Sequence, residues 1–152
     1  MSLYLLEPSA VELAKAADKR SVLDAVAALV ARTYALDGDA VREALDEREA
    51  LGSTGFGRGV AIPHARLPGI KRPVAVVLKL DEPVDFASAD GLPVGLVFGL
   101  VSPEEAGVGH LHALAAISRL SRDDAMREAM MAAPDANALF CLVSDPAERH
   151  AA

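Results

Sequence analysis

One stretch near the start of the chain carries apolar side chains at helical spacing. The stripe consists of four aliphatic residues and one threonine on one helical face: Val22, Val26, Leu29, Val30 and Thr33. This pattern predicts an amphipathic helix that packs on the core over residues 18–35, and Gly38 follows its end as a helix-stopping glycine would. Residues 3–13 are ambiguous and fit either a short strand or an extended arm.

A second helix is predicted over residues 39–51, because Asp37 or Asp39 can cap its start and Gly52 can terminate it. Its apolar positions are expected to face the core; they are Val41, Ala44, Leu45 and Leu51. Its charged positions are expected to form, for the most part, a solvated face; they are Arg42, Glu43, Asp46, Glu47 and Glu49. Arg48 lies in the last turn, where a cation complements the helix dipole.

Two continuous apolar runs predict strands that are buried on both faces. The first covers residues 74–80 and is broken by Pro83, and the second covers residues 94–101. In the second run, Gly95 and Gly99 permit close packing. Turns are predicted at residues 67–69 and 90–91 from their Pro and Gly content.

The last third of the chain is predicted to be helical. A loop over residues 102–109 leads into a helix over residues 109–120, and a further helix covers residues 123–133 and ends at Pro134. Residues 136–143 fit a helix or a strand from their pattern alone.

Length and composition predict one globular domain over residues 1–152, because the chain is 52% hydrophobic and long enough to bury a core. A net charge of −7 without a basic cluster disfavours nucleic-acid binding. The single cysteine, Cys141, excludes an internal disulfide and fits the cytoplasm. There is no signal-peptide pattern, and the longest apolar run is too short for a bilayer, so we expect a protein that is not embedded in a membrane.

Residues 52–66 are dense in glycine and end in a histidine between proline and alanine. The glycines allow positive φ and a close approach of the backbone to a ligand. Residues 59–62 predict a strand, which Pro63 should end so that His64 stands at its tip. Ligands of α/β sheets bind outside the carboxyl ends of strands. This arrangement suits chemistry on a phosphoryl group.

His64 is the main candidate for that chemistry. An imidazole has a reference pKa of about 6.5, so an appreciable fraction is uncharged near neutral pH. Its unprotonated nitrogen is a nucleophile that can attack a phosphoryl group. An isolated histidine would more often be a surface residue without a role, but the surrounding motif favours catalysis.

The segments Arg-Glu-Ala-Leu-Gly-Ser-Thr at 48–54 and Gly-Arg-Gly-Val-Ala-Ile-Pro-His at 57–64 carry a family resemblance. They resemble the signature of the fructose/mannitol-type enzyme IIA of the bacterial phosphotransferase system. Arg-Leu-Pro-Gly at 66–69 and the Gly-Ser-Thr-Gly spelling are closer to its nitrogen-regulatory branch. The resemblance implies an α/β fold with a mixed sheet of about five strands, helices on both sides and a closing helix at residues 136–143.

The same resemblance implies the roles of the site residues. His64 would accept a phosphoryl group at Nε2 from a histidine phosphocarrier protein, and His110, in a His-Leu pair, would bind that group or orient His64. Arg48 would reach over the glycine loop to the phosphate. From the residues alone, Arg48 also fits a partner of the helix dipole, and His110 a capping or buried histidine.

Ser53 and Thr54 are expected phosphate ligands, because their hydroxyls can donate to phosphate oxygens. A turn or helix-terminus role competes with that expectation, above all for Ser53. Arg58 and Arg66 could assist the phosphate, help to dock an acidic partner or simply be solvated. The sequence leaves these alternatives open.

No metal or other cofactor is predicted. His110 and His112 resemble a metal pair, but residues two apart on a helix point about 200° apart. The histidines also lack a carboxylate or thiolate at ligand spacing. The glycine loop lacks the Gly-Lys-Ser/Thr ending of a nucleotide-binding loop. His150 is expected to be solvated near the terminus.

The resemblance therefore implies a phosphohistidine carrier of the phosphoenolpyruvate-dependent nitrogen-regulatory phosphotransferase system. This phosphotransferase component would control regulatory target proteins through its phosphorylation state. The alternative is a sugar-specific enzyme IIA that passes the phosphoryl group to a IIB component for fructose- or mannitol-type uptake. The sequence shows neither a fused partner domain nor a membrane segment, which favours regulation. A catalytically silent domain would predict no phosphorylation.

Overall fold

The computed structural model of the protein describes residues 3–144, so the expectation for His150 lies outside the described residues. A 3-10 helix at Pro8–Ala10 precedes the main elements. The helices are α1 (Lys19–Tyr34), α2 (Gly38–Ala50), α3 (Val108–Arg122), α4 (Asp124–Ala132) and α5 (Ala136–Val143). The strands are β1 (Val11–Ala14), β2 (Gly55–Gly57), β3 (Val60–Ala61), β4 (His64–Leu67), β5 (Val74–Val84) and β6 (Val94–Pro103).

Within residues 3–144 the strands form one six-stranded mixed sheet in the order β1-β5-β6-β3-β2, and β4 also pairs with β6. The central pair, β5 and β6, is antiparallel. β1 runs parallel to β5, and β3 and β4 both run parallel to β6. The predicted α/β class with a mixed sheet is confirmed, with six strands where about five were expected.

Both faces of the central strands are covered. Residues 74–78 of β5 and residues 96–102 of β6 are all buried. Because successive side chains of a strand point to opposite faces, an unbroken buried run requires packing on both sides. α1 packs on β5, α3 and α4 contact β6, and α5 contacts β1. The buried strands and the closing helix at residues 136–143 are therefore confirmed.

The first helix forms as predicted but ends differently. Asp18 caps α1 by accepting the Ser21 N–H at 2.8 Å, and the four aliphatic residues of the predicted stripe are buried, while Thr33 is half-buried. The helix ends at Ala35, whose φ of 56° is left-handed. The prediction that Gly38 stops this helix is wrong, because Ala35 reverses the chain and Gly38 already begins α2.

The second helix is capped by Asp37, which accepts the N–H groups of the second and third residues of α2. Two of its predicted orientations are wrong. Leu51 is 84% exposed, because the helix ends at Ala50 and Leu51 lies beyond its packed face. The Glu49 side chain is only 7% exposed, because it turns inward to pair with Lys19.

Two further predictions are corrected around the strands. Pro83 does not end β5; it lies exposed in the strand, within the stretch between Lys79 and Val84 where the register shifts. A bulge tolerates proline because no ladder N–H is required there. Residues 55–57, predicted only as part of a glycine-rich loop, form β2 and pair with β3. The ambiguous residues 3–13 contain a bridge from Leu5 to Val74, the 3-10 helix and the start of β1.

The two short strands on either side of Pro63 both pair with β6. β3 pairs with Leu96 and Val97, and β4 pairs with the stretch that starts at Leu100. Pro63 has no N–H to donate, but its carbonyl oxygen accepts the Leu100 N–H at 3.0 Å. The prediction that Pro63 leaves His64 at a strand tip is therefore corrected, because His64 begins β4 at an interruption between two short strands.

Gly99 lies where β6 meets both α1 and β5. A Cβ atom at Gly99 would lie 2.6 Å from Cγ1 of Val26 and 2.8 Å from Cγ2 of Val76. We predict that Gly99→Ala lowers the free energy of unfolding by about 1–3 kcal/mol, because the surrounding core is closely packed. Urea denaturation followed by circular dichroism measures this change.

Gly95→Ala is the matched control in the same strand, since the nearest atom to its added Cβ would be Sδ of Met131 at 3.8 Å. We expect this variant to stay within about 1 kcal/mol of the wild-type protein. Equal losses in the two variants would contradict the packing argument.

Candidate functional site

His64 is held at both ring nitrogens. Its Nδ1 lies 2.7 Å from the carbonyl oxygen of Ile62, two residues earlier in the chain. Nε of Arg48, in the last turn of α2, donates to Nε2 of His64 at 3.2 Å. The ring is half-buried. Two contacts of opposite polarity therefore fix the orientation of one imidazole.

These contacts also fix the tautomer of His64. A guanidinium N–H can only donate and a carbonyl oxygen can only accept. Nε2 must therefore carry the lone pair, and Nδ1 must carry the proton that it donates to Ile62. A ring nitrogen with a free lone pair is a nucleophile. The geometry thus selects Nε2 as the nitrogen that can attack an electrophile.

His110 lies beside His64, a proximity that the family resemblance implies. The two ring centroids are 5.6 Å apart and the planes are tilted by 49°. His110 is buried in the first turn of α3, and its Nδ1 lies 2.6 Å from Oγ of Ser102 in β6. The contact with Ser102 anchors the start of α3 to the sheet at the position where β4 pairs with β6.

Both imidazoles are kept neutral by their surroundings. Burial lowers the pKa of His64 below its ordinary value of 6.5; the Arg48 guanidinium acts in the same direction, while the bond to Ile62 and the Glu49 carboxylate oppose it. Burial, His64 and the Arg66 guanidinium together lower the pKa of His110 to about 4. At neutral pH the nucleophilic nitrogen of His64 is therefore available.

Hydrogen bonds fix the glycine loop at its start, over residues 52–55. Nη1 of Arg48 donates to the carbonyl oxygen of Gly52 at 2.9 Å. The Ser53 hydroxyl donates to the carbonyl oxygen of Phe86 at 2.6 Å and accepts the Gly55 N–H at 2.9 Å. In this arrangement Ser53 shapes the turn, the alternative that its residue type left open.

Thr54 is tied to Glu49. Its hydroxyl donates to Oε1 of Glu49, and its backbone N–H donates to Oε2 at 3.2 Å. The Thr54 side chain is buried, and its carbonyl oxygen accepts the Ile62 N–H at 2.9 Å. The hydroxyls of Ser53 and Thr54 are thus bonded within the protein, and their roles toward phosphate stay predictions.

The remaining candidates lie in different settings. The Arg58 N–H donates to Asp90 at 2.7 Å, and its guanidinium makes a weak exposed contact of 3.4 Å with Asp124. Arg66 is exposed on β4, and its positive charge lies near enough to lower the pKa of His110. His112 is exposed and is not part of the His64 pair.

Two further kinds of function find no support among residues 3–144. In that range no group of three or more His, Cys, Asp or Glu residues could hold a metal ion. None of the helices described there is long and apolar enough to cross a bilayer. The arrangement of His64, Arg48 and His110 instead provides a neutral nucleophile next to a guanidinium, which is suited to a phosphoryl group.

Four contributors to the site escaped the sequence-based prediction: Lys19, Glu49, Ile62 and Ser102. The Ile62 contact is made by a backbone carbonyl and leaves no signal in residue types. Glu49 did leave a signal, because a carboxylate in the last turn of a helix is opposed by the helix dipole. Lys19, a cation at the first position of α1, is misplaced in the same way.

Comparison with known proteins gives consistent matches across the chain. The family model described as "Phosphoenolpyruvate-dependent sugar phosphotransferase system, EIIA 2" matches residues 4–145. A nitrogen regulatory protein of Bradyrhizobium diazoefficiens is 43% identical over 143 residues, which cover 93% of this chain and 94% of that protein. A nitrogen regulatory protein of Pseudomonas aeruginosa is 46% identical over 128 residues, covering 84% of this chain and 83% of that protein.

A solved structure shows the same fold. The crystal structure of nitrogen regulatory protein IIA-Ntr from Neisseria meningitidis matches with a TM-score of 0.85 at 34% identity. The match covers 91% of this chain and 96% of that chain. The agreement in fold and sequence therefore extends over nearly the whole molecule.

The neutral state of His110 makes stability depend on pH. Its pKa is about 4 in the folded protein against an ordinary 6.5, so between these values the unfolded chain binds more protons. We predict that the free energy of unfolding is highest above about pH 6.5 and falls as the pH is lowered towards about 4. The slope should be on the order of 1 kcal/mol per pH unit, and urea denaturation across this window measures it.

The variant His110→Gln serves as the control, because it removes the titrating ring and keeps a polar group near Ser102. Its stability should fall less over the same window than that of the wild-type protein. Parallel pH profiles for the two proteins would contradict the assignment.

Proposed function

The chain belongs to the EIIA 2 family of the phosphoenolpyruvate-dependent sugar phosphotransferase system, and from this premise we propose that it is a phosphohistidine carrier that regulates partner proteins. The observation that carries the proposal is the Nε2 lone pair of His64, held in place by Ile62 and faced by Arg48. The proposed donor is a histidine phosphocarrier protein.

In the proposed reaction, Nε2 of His64 attacks the phosphorus atom on the donor's phosphohistidine. The new N–P bond forms as the donor's N–P bond breaks, and the donor's imidazole leaves with the bonding electron pair. The ring of His64 gains positive charge, which the Ile62 carbonyl oxygen stabilises through the Nδ1–H bond. Catalysis consists of positioning and charge stabilisation, with no cofactor in the step.

Arg48 is the first proposed ligand of the transferred group. Its guanidinium already lies against Nε2, so it can move from the ring nitrogen to the phosphoryl oxygens with little displacement. We propose that His110 donates a hydrogen bond to the phosphoryl group or orients His64, without itself being phosphorylated. Phosphate contacts from Ser53 and Thr54 require their hydroxyls to turn away from Phe86 and Glu49.

The regulatory part of the proposal is supported by the relatives. Two proteins that share 43% and 46% identity with this chain over most of its length are named nitrogen regulatory proteins. We therefore propose that the phosphorylation state of His64 decides which target proteins are bound, and that the exchange takes place in the cytoplasm. A phosphoryl group changes both charge and hydrogen-bonding capacity at a surface, which suits such a switch.

A histidine series tests the carrier role. The protein is incubated with phosphoenolpyruvate, the first enzyme of the system and the histidine phosphocarrier protein, and labelling is followed by intact mass spectrometry. We expect the wild-type protein to gain one acid-labile phosphoryl group and His64→Ala to gain none. His110→Ala should fold and be labelled more slowly, on the order of tenfold or more, because the phosphoryl group loses a positioning contact.

His112→Ala is the matched control, since His112 is exposed on the same helix as His110. It should be labelled at the wild-type rate. Labelling of His64→Ala as fast as wild type would refute the carrier assignment, and an unchanged rate in His110→Ala would refute the role of that ring.

The regulatory role is tested by comparing bound partners. Immobilised phosphorylated protein, unphosphorylated protein and His64→Ala are exposed to the same lysate, and captured proteins are identified by mass spectrometry. We expect the phosphorylated sample to differ from the other two, which should agree with each other. Identical partner sets in all three samples would count against a switch. Rapid loss of the label to an added fructose-specific IIB domain would instead favour a role in sugar uptake.

A further inference from the structure

An ion pair with a buried carboxylate lies next to the glycine loop. Nζ of Lys19 is 2.8 Å from Oε2 of Glu49, and the two side chains are 29% and 7% exposed. In the other ion pairs described within residues 3–144, the acidic side chain is at least 43% exposed. This pair is therefore set apart from the surface pairs of the molecule by the burial of its carboxylate.

Helix stability does not account for this pair. Lys19 is the first residue of α1 and Glu49 lies in the last turn of α2, so each charge occupies the helix end that disfavours it. Replacing a buried ion pair with well-packed apolar side chains is often neutral or stabilising. The cost of withdrawing Glu49 from water points to a role other than general stability.

The contacts of Glu49 lead to the catalytic ring. Both of its carboxylate oxygens bind Thr54, one through the hydroxyl and one through the backbone N–H. The carbonyl oxygen of Thr54 accepts the Ile62 N–H at 2.9 Å. The carbonyl oxygen of Ile62 accepts the Nδ1–H of His64 at 2.7 Å. A continuous series of hydrogen bonds thus joins the ion pair to His64.

Lys19 also contacts a second residue next to the loop, Phe86. Its Nζ lies 4.8 Å above the centre of the Phe86 ring. The carbonyl oxygen of Phe86 accepts the Ser53 hydroxyl at 2.6 Å. One ammonium group therefore supports both the Glu49–Thr54 contact and the segment that holds Ser53.

We propose that Lys19 and Glu49 are a positioning pair for His64. Through Thr54 and Ile62 they hold the carbonyl oxygen that keeps the proton on Nδ1 and leaves Nε2 free to attack. Lys19 also offsets the negative charge of the Glu49 carboxylate, so an incoming phosphoryl group meets the Arg48 guanidinium with less opposing charge from below the loop. The consequence for phosphoryl transfer rests on the proposed function, whereas the effect on the tautomer does not.

The test replaces the pair with apolar side chains of similar size in the full chain, as Lys19→Met with Glu49→Leu. The tautomer of His64 is measured by nitrogen NMR of the imidazole in unphosphorylated protein. A purely structural pair would leave a stable fold and an unchanged tautomer. We expect instead a stable fold in which a measurable fraction of His64 carries its proton on Nε2, because the 3.2 Å contact from Arg48 is then the only one of the two that still favours a proton on Nδ1.

Labelling by the phosphocarrier protein gives the second measurement. The double variant should be labelled roughly 10- to 100-fold more slowly than wild type, because the nucleophilic nitrogen is no longer held in place. The matched control is Arg32→Met with Glu12→Leu, which removes an exposed ion pair between α1 and β1. This control should keep both the tautomer and the rate of the wild-type protein.

An unchanged His64 tautomer in the double variant would overturn the positioning role, and labelling within about twofold of wild type would overturn its catalytic consequence. If the double variant does not fold, Glu49→Gln is judged by the same two criteria. Its amide has one oxygen and one NH₂ group, so it cannot accept from both the hydroxyl and the backbone N–H of Thr54 as the two carboxylate oxygens do. Failure of the wild-type protein to take the label would contradict the proposed function alone, since the tautomer is measured without a donor.

Discussion

The site depends on one constraint: the two groups that contact the His64 ring have fixed and opposite hydrogen-bonding character. The Arg48 guanidinium can only donate and the Ile62 carbonyl can only accept, so the proton of the neutral ring must lie on Nδ1. The lone pair then lies on Nε2, beside the guanidinium. Orientation, tautomer and anion recognition are thereby set by the same pair of contacts, and burial keeps the ring unprotonated by lowering its pKa.

Strand β6 is the scaffold on which these contacts are assembled. It is buried over most of its length, and it pairs with β3 before the Pro63 interruption and with β4 after it. The same strand supplies Ser102, which holds His110 next to His64. A proline is tolerated at the break because its carbonyl still accepts a hydrogen bond from β6. The His64 and His110 rings come from distant parts of the chain, and both are positioned by this one strand.

The charges around the His64 ring differ in sign and balance from the net charge of the whole chain. The chain has a net charge of −7, yet the groups around the His64 ring are a guanidinium, a neutral second imidazole and a carboxylate that is paired with a lysine. Attraction of an anionic group therefore comes from short-range contacts at this point. The proposed phosphoryl transfer requires the Glu49 carboxylate to be paired, since an unpaired carboxylate near His64 would repel a dianionic phosphoryl group.

The sequence by itself determined the elements with a clear period, such as α1 and the buried strands β5 and β6, because apolar spacing is a local property of the chain. The family resemblance also led to the expectation that Arg48, His64 and His110 share one site. Tertiary structure decided what depends on neighbours distant in sequence: the burial of Glu49 by Lys19, the exposure of Leu51 and the continuation of the chain into β4 after Pro63. The tautomer of His64 belongs to this second group, because the Arg48 guanidinium meets the ring only when α2 packs on β4, whereas the Ile62 carbonyl lies close to the ring along the chain.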